Sequence, residues 1–343
     1  MLRRADRRRP VWPLLPSRQC HAIANIRAWA APSIGFSSRV SLTTEKSGGV
    51  AAVEDGGLQF WREEGQWYSY DYTGRLLAAT NTQGITGWTQ NFTYDRAGRM
   101  RMNSLVGAYV YGNTVAAVHA PTTVTPSGGA AQTLAYDANG NMTTGLDGKI
   151  IEYDGENRPL SVTWLGKKTC YVYGADGTRR KKIENFLPAQ SCDAPTAAQP
   201  VTLYLGQAEI RNWGQGNAEE ILLYPTPTIR IAITKDAGGV VVTKVSTLHR
   251  DALGSVRAVT NAAGLKAERS LFRPFGEEAS TRFDLATAVE TKGFIGQRFD
   301  ADAGLQYLNA RYYDPKLGMF IQPDWWEVTQ AGVGTNRYGY SFD

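Results

Sequence analysis

The sequence predicts an all-β protein in which repeated antiparallel β-hairpins form a curved sheet, with at most one or two short helices. Three observations predict it. The 343 residues include 36 Gly, 17 Tyr and 9 Trp without low complexity, which is the composition of many short strands joined by tight turns. A tyrosine-led unit recurs along the chain, and helical periodicity is sparse.

The unit reads Tyr70-Asp71-Tyr72-Thr73-Gly74-Arg75-Leu76, Tyr94-Asp95-Arg96-Ala97-Gly98-Arg99-Met100 and Tyr136-Asp137-Ala138-Asn139-Gly140-Asn141-Met142. Weaker copies start at Tyr153 and Tyr173, so the leading tyrosines are 24, 42, 17 and 20 residues apart, the 42 being close to two periods. Asp at the first place and Gly at the fourth of D-x-x-G fit a type I turn. The carboxylate accepts from backbone N–H groups ahead of it, and Gly takes the left-handed conformation that closes the loop. Phe92-Thr93-Tyr94 then enters a turn and Arg99–Met102 leaves it with alternation of period two, so each repeat supplies about one hairpin.

Residues 187–247 depart from this unit. Pro188, Pro195, Pro200, Pro225 and Pro227 punctuate them, while Val201–Leu205, Glu220–Tyr224 and Val240–Val245 stay strand-like, so further strands with longer loops are expected. Only Ser280–Lys292 and Asp324–Ala331 look able to form short helices.

Charge and cysteine content narrow the function. The chain carries 37 Lys+Arg against 32 Asp+Glu, a net +5 that would point to nucleic acid or an acidic membrane surface. Residues 1–40 hold eight of the Arg and one acid, leaving 29 bases against 31 acids in the remainder. The excess belongs to the leader, so no nucleic-acid partner is expected. Prolines deny the leader the apolar core of a secretory signal; an organelle transit peptide and an untemplated extension are the two readings, the second preferred, with residues 1–45 disordered. No stretch approaches a membrane span. Cys20, Cys170 and Cys192 are too few for a disulfide framework, and spacing alone leaves open whether Cys170 and Cys192 pair.

The C-terminal third carries a second set of motifs: His249-Arg250-Asp251-Ala252-Leu253-Gly254-Ser255, Phe272-Arg273-Pro274-Phe275-Gly276-Glu277, Gly293-Phe294-Ile295-Gly296-Gln297, Gly304–Pro315, Leu317–Asp324 and Asn336-Arg337-Tyr338-Gly339-Tyr340. In that order, after the Y-D-x-x-G-R units, they resemble the Rhs repeat-associated core of the Rhs/YD-repeat proteins, which include insecticidal toxin-complex C subunits and the teneurin shell. The resemblance covers residues 67–343 and divides the chain into a leader (1–45), a YD-repeat β-region (46–292) and a core segment (293–343).

What the resemblance implies is a sheet that spirals into a shell around a C-terminal toxin or effector polypeptide, completed by an upstream shell chain or served by secretion machinery. The expected setting is polymorphic-toxin competition between bacteria, secreted or at the cell surface, with no clear signal peptide. Family shells are longer than this chain, and the N-P and D-P-x-G signatures that follow N-R-Y-G-Y in the family are absent, so a truncated gene, a fragment or one piece of a split shell is expected. A non-catalytic shell component is therefore the leading reading.

Two alternatives stand beside it. The resemblance implies an aspartyl autoprocessing pair, carried over to Asp314 and Asp324 with Arg311 as electrostatic partner. Two carboxylates held close share a proton, so one serves as base while the other polarises a carbonyl. The same residues also fit structure: Asp314-Pro315 opens a turn and Asp324 precedes a possible helix. The third reading is a glycan-binding surface protein, with Trp61, Trp67, Trp88, Trp164 and Trp213 as stacking platforms, although packing between strands is the commoner use of such residues.

Other motifs carry nothing. Asp137–Gly148 has Gly at loop positions four and twelve, where a calcium loop needs Gly at six and Glu at twelve. His21, His119 and His249 lack paired ligands, so no metal and no cofactor is expected. Arg179-Arg180-Lys181-Lys182 is expected to be a solvated strand end.

Overall fold

The computed structural model describes residues 51–55, 58–63, 66–82, 87–112, 118–284, 287–325 and 335–340, with side chains from residue 66 onward except those of Ser280 and Thr281. The leader and nearly all of the expected helix at Asp324–Ala331 lie outside the described residues, as does the side chain of Trp61. Contacts divide the chain into residues 1–36 and 37–343, and every described residue belongs to the second unit.

The described chain is all-β. Three antiparallel sheets contain every strand, and within each sheet the strands pair in sequence order. The first has nine strands, from Ala51–Asp55 to Gln132–Thr133; the second has fourteen, from Ala135–Tyr136 to Glu278–Arg282. The third has four short strands, Arg298–Asp300, Leu305–Tyr307, Tyr312–Asp314 and Met319–Phe320. The helical content of the described residues consists of three single 3-10 turns. A meander of this kind follows from the turns: a D-x-x-G loop returns the chain beside itself, so each strand finds its partner locally.

The turn takes the expected form. In the first repeat the Asp71 carboxylate accepts from the amides of Thr73 and Arg75, both at 2.9 Å, and from Arg75 Nε at 2.6 Å. Gly74 closes the loop at φ +86°, which no side-chain-bearing residue adopts without strain. Burial alone would raise the Asp71 pKa, but the hydrogen bonds from Arg75 and Thr73 outweigh it and hold the carboxyl at about 2. Asp95–Arg99 and Asp154–Arg158 repeat the arrangement.

Neighbouring repeats are stitched by the same residues. The guanidinium of Arg75 lies over the Tyr94 ring, that of Arg99 over Tyr111 and that of Arg158 over Tyr173, at 5.0 to 5.2 Å. The tyrosines in turn donate backwards: Tyr111 to the carbonyl of Met100, Tyr136 to Pro121, Tyr153 to Met142 and Tyr173 to Pro159, at 2.8 to 3.0 Å. A single hairpin buries too little to hold itself together, and this ladder of cation–π contacts and hydroxyl donors fixes how each packs on the last.

The main core brings the three sheets together. Tyr109 and Val124 of the first sheet, Met142, Ile151 and Val162 of the second, and Leu305, Tyr312, Leu317 and Ile321 from the C-terminal segment form one buried cluster. A second cluster around Leu222, Leu248, Val256 and Val259 lies further along the fourteen-stranded sheet. Cys170 and Cys192 are joined by a disulfide that ties the proline-rich loop to a third cluster with Ile183 and Phe186.

Two expectations are corrected. Ser280–Lys292 is not a helix: Glu278–Arg282 pairs in continuous register with Lys266–Phe272 as the last strand of the second sheet, and the described residues from there to Lys292 hold no helix. The open edge of Lys266–Phe272 offers backbone partners along its length, which outweighs a weak local helical preference. Arg179–Lys182 is a solvated strand end only in part: Arg180 is exposed and Lys181 half-buried, but Arg179 and Lys182 are buried. The region 187–247 forms strands with longer loops as expected, with two additional strands, Ala208–Arg211 and Ile229–Lys235.

Candidate functional site

The C-terminal segment, where the candidate residues lie, is clamped between the two large sheets. Its contacts with the first sheet include Tyr109, whose hydroxyl donates to the Leu317 carbonyl at 3.3 Å. On the second sheet, the Met142 amide donates to the Ile321 carbonyl at 2.8 Å, Gln322 Nε2 to the Asn157 carbonyl at 3.1 Å, and Tyr338 to the Gly140 carbonyl at 2.7 Å.

Asp314 is buried, and both its oxygens are engaged. Oδ1 accepts from the amides of Lys316 and Leu317, at 2.9 and 3.1 Å, closing the Asp-Pro turn read from the sequence. Oδ2 receives Lys149 Nζ at 2.8 Å, and both side chains are at most 2% exposed. The lysine ammonium also lies over the Trp164 ring at 4.8 Å. Two residues away along the turn, Lys316 pairs with Asp147 at 2.7 Å, so the contact is a double tie.

Arg311 and Asp324 do come together. Arg311 Nη2 meets Asp324 Oδ2 at 2.8 Å, Nη1 donates to the Arg337 carbonyl at 3.0 Å, and the guanidinium lies 3.7 Å from the Phe320 ring centroid. The Asp324 amide donates to the Arg337 carbonyl at 2.8 Å. Arg311 thus joins the last strands to the 336–340 segment. Asp314, by contrast, gives its charge to Lys149 on the second sheet.

A second polar constellation was not read from the sequence. Arg179, 1% exposed at its side chain, forms a two-pronged ion pair with Asp300 and is ringed by Tyr171, Tyr204, Tyr307 and Tyr312, at 4.3 to 5.8 Å. Tyr307 also accepts the Arg179 amide at 3.0 Å. Beside it, Lys182 Nζ binds Glu184 at 2.9 Å and Asp302 at 3.0 Å. The signal for Arg179 was available. In Gly74-Arg75, Gly98-Arg99 and Asn157-Arg158 the Arg comes directly after the positive-φ residue and folds back on its turn Asp. In Gly177-Thr178-Arg179 it comes one residue later, which places it on the opposite face of the strand. Gly174 also occupies the turn position that Asp holds elsewhere.

Of the tryptophans of the glycan reading, Trp67, Trp88 and Trp164 are half-buried; Trp164 carries Lys149, and Trp88 lies 5.9 Å from the Arg273 guanidinium. Trp213 is half exposed. Among the described residues no cluster of His, Cys, Asp and Glu could hold a metal ion, and no helix is long and apolar enough to cross a membrane.

Comparison with solved structures places this architecture. The TcdB2-TccC3 crystal structure aligns with 84% of this chain and 16% of its own, with a TM-score of 0.64 at 18% identity. A Photorhabdus luminescens Tc holotoxin pore carrying a TccC3 mutant aligns with 80% of this chain and 14% of its own, with a TM-score of 0.61. The fold is that of these toxin-complex chains. Sequence relatives include the tRNA nuclease WapA of Bacillus subtilis strain 168, 25% identical over 224 residues, 62% of this chain and 8% of that protein. The double-stranded DNA deaminase toxin A of Burkholderia cenocepacia strain H111 is 26% identical over 298 residues, 80% of this chain and 20% of that protein. No protein-family model matches. The chain thus spans a fifth or less of each toxin it resembles.

Proposed function

We propose that this chain is a non-catalytic β-shell component of an Rhs-type polymorphic toxin, which encloses or presents an effector polypeptide together with further shell sequence. The observation that carries this reading is the C-terminal segment. Its motifs are spent on holding the segment to the second sheet through Lys149–Asp314 and Arg179–Asp300 and on bracing it internally through Arg311–Asp324. Nuclease and deaminase names among the relatives support a toxin setting, since the matched part is a small share of proteins named for those activities. A secreted or cell-surface location and a role in bacterial competition follow as parts of the same proposal.

The structural role extends to the aspartates. Asp314 accepts an ammonium and two amides, and Asp324 a guanidinium, which supports ion pairs that hold the segment closed. The reading is tested by appending a nuclease effector after residue 343 through a cleavable linker. Tethered nuclease should be less active than the same nuclease after linker cleavage. Equal activity before and after cleavage would count against it. Cleavage without added protease that disappears in Asp314→Asn would instead restore the autoprocessing reading.

A further inference from the structure

The turn between Arg298–Asp300 and Leu305–Tyr307 inserts two carboxylates, Asp300 and Asp302, against a sheet face that already carries Arg179, Lys182 and Glu184. Before contact the sheet side holds two cations and one carboxylate. After contact two cations face three carboxylates in a largely buried cluster, one negative charge in excess. Lys182 Nζ is shared between Glu184 at 2.9 Å, Asp302 at 3.0 Å and Asp300 at 3.7 Å, and Asp300 is also held by Arg179. The Thr169 hydroxyl donates to Asp302.

The remaining groups packed around the cluster do not neutralise the excess. Tyr171 lies on the neighbouring strand, Tyr204 on the strand beyond, and Tyr307 and Tyr312 on the third sheet. Arg298, over the Tyr204 ring at 4.8 Å, is paired with Glu209 at 2.9 Å.

We propose that docking of the Asp300–Gly304 turn onto the second sheet takes up one proton, shared by the Glu184–Asp302 carboxylate pair, so that the C-terminal sheet is held more tightly in acid than in alkali. A surplus buried charge is costly, and a proton on the less well paired carboxylate removes it. That carboxylate is Glu184. Burial raises its pKa from 4.5 to about 7, with Lys182 opposing and Asp302 reinforcing the rise. Burial also works to raise Asp302, but Lys182, Glu184 and Thr169 outweigh it and keep that carboxyl below its ordinary value. Since the folded pKa of Glu184 lies above its unfolded one, its contribution is fully present below pH 4.5 and is lost as pH rises through about 7. Between those two values the docking equilibrium changes about tenfold for each step of one in pH, so the whole window is worth about a hundredfold or somewhat more.

Hydrogen exchange on the full chain between pH 4.5 and 8.5, expressed as protection factors corrected for intrinsic rates, reads the docking locally. Protection of the amides of residues 299–307 should fall by about a hundredfold across that range in the parent chain and stay level in Glu184→Gln. A level parent profile, or an equal slope in Glu184→Gln, overturns the proposal. Should Glu184→Gln not fold, carbon-13 carboxyl titration of the parent chain decides. A Glu184 midpoint near 7 upholds the proposal, and one near 4.5 overturns it.

Discussion

Replacing Lys149 by Met removes one half of an ion pair that joins residues 165 positions apart. Methionine keeps an unbranched chain as far as the ε position and loses the ammonium, with its place over Trp164, so the loss is chiefly electrostatic. What remains is the Asp314 carboxylate, 1% exposed, with two turn amides on Oδ1 and nothing on Oδ2 to replace the ammonium. Stranding one partner of a buried pair costs about 3–5 kcal/mol, and the surviving amide bonds place this case near the lower end. Urea unfolding followed by tryptophan fluorescence should therefore show a loss of about 3 kcal/mol. Lys149→Met/Asp314→Asn should recover about half of it, because the neutral amide still accepts from the turn. A loss below about 1 kcal/mol for Lys149→Met would show that water reaches the pair and that the segment is not locked through it.

Further outcomes follow from other contacts. Gly276 has φ +91°, and a Cβ there would lie 2.4 Å from the Phe294 ring, so Gly276→Ala should lower the unfolding midpoint sharply, whereas Gly74→Ala, with open space around it, should cost about 1 kcal/mol. Reducing the Cys170–Cys192 disulfide, which closes a separation of 22 residues, should cost about 3 kcal/mol in urea titrations under dithiothreitol, and no effect in Cys192→Ser would refute it. Burial works to raise the pKa of Glu209, but Arg211 and Arg298 outweigh it and hold it at about 2. Its stabilisation is present above about pH 4.5 and lost as pH falls toward 2, a limb that acid titration of Glu209→Gln should lack. Arg99→Ala, at a partly exposed pair with Asp95, should cost under about 1 kcal/mol by the same assay.

The hairpin architecture was legible because its signal is local. Asp71, Asp95 and Asp137 each form the turn that D-x-x-G dictates, Asp154 forms it with Asn157 in the glycine's place, and the strands on either side pair without long-range information. Related turns at Asp236, Asp251 and Asn261 use the same carboxyl or amide acceptance from amides two and four residues on, yet none of them has the leading tyrosine that marks the others, since Lys235, Arg250 and Thr260 stand in its place. The partners of the C-terminal segment were not legible. Lys149 meets Asp314 and Arg179 meets Asp300 across separations of 165 and 121 residues, and no spacing rule connects them. Asp314, Asp324 and Arg311 stand out in the sequence as candidates, but Lys149, the cation on Asp314, becomes visible only once the sheet is folded around it. The strand at Glu278–Arg282 shows the reverse failure, a local helical preference overruled by an available sheet edge.

A shell component shelters the polypeptide attached to it. Limited proteolysis of an effector appended after residue 343, compared with the same effector appended to an unrelated β-domain of similar size, tests it most directly. The effector on this chain should be cleaved more slowly, with protection lost when Lys149→Met and Arg179→Met release the C-terminal segment. Equal cleavage on both carriers would contradict it.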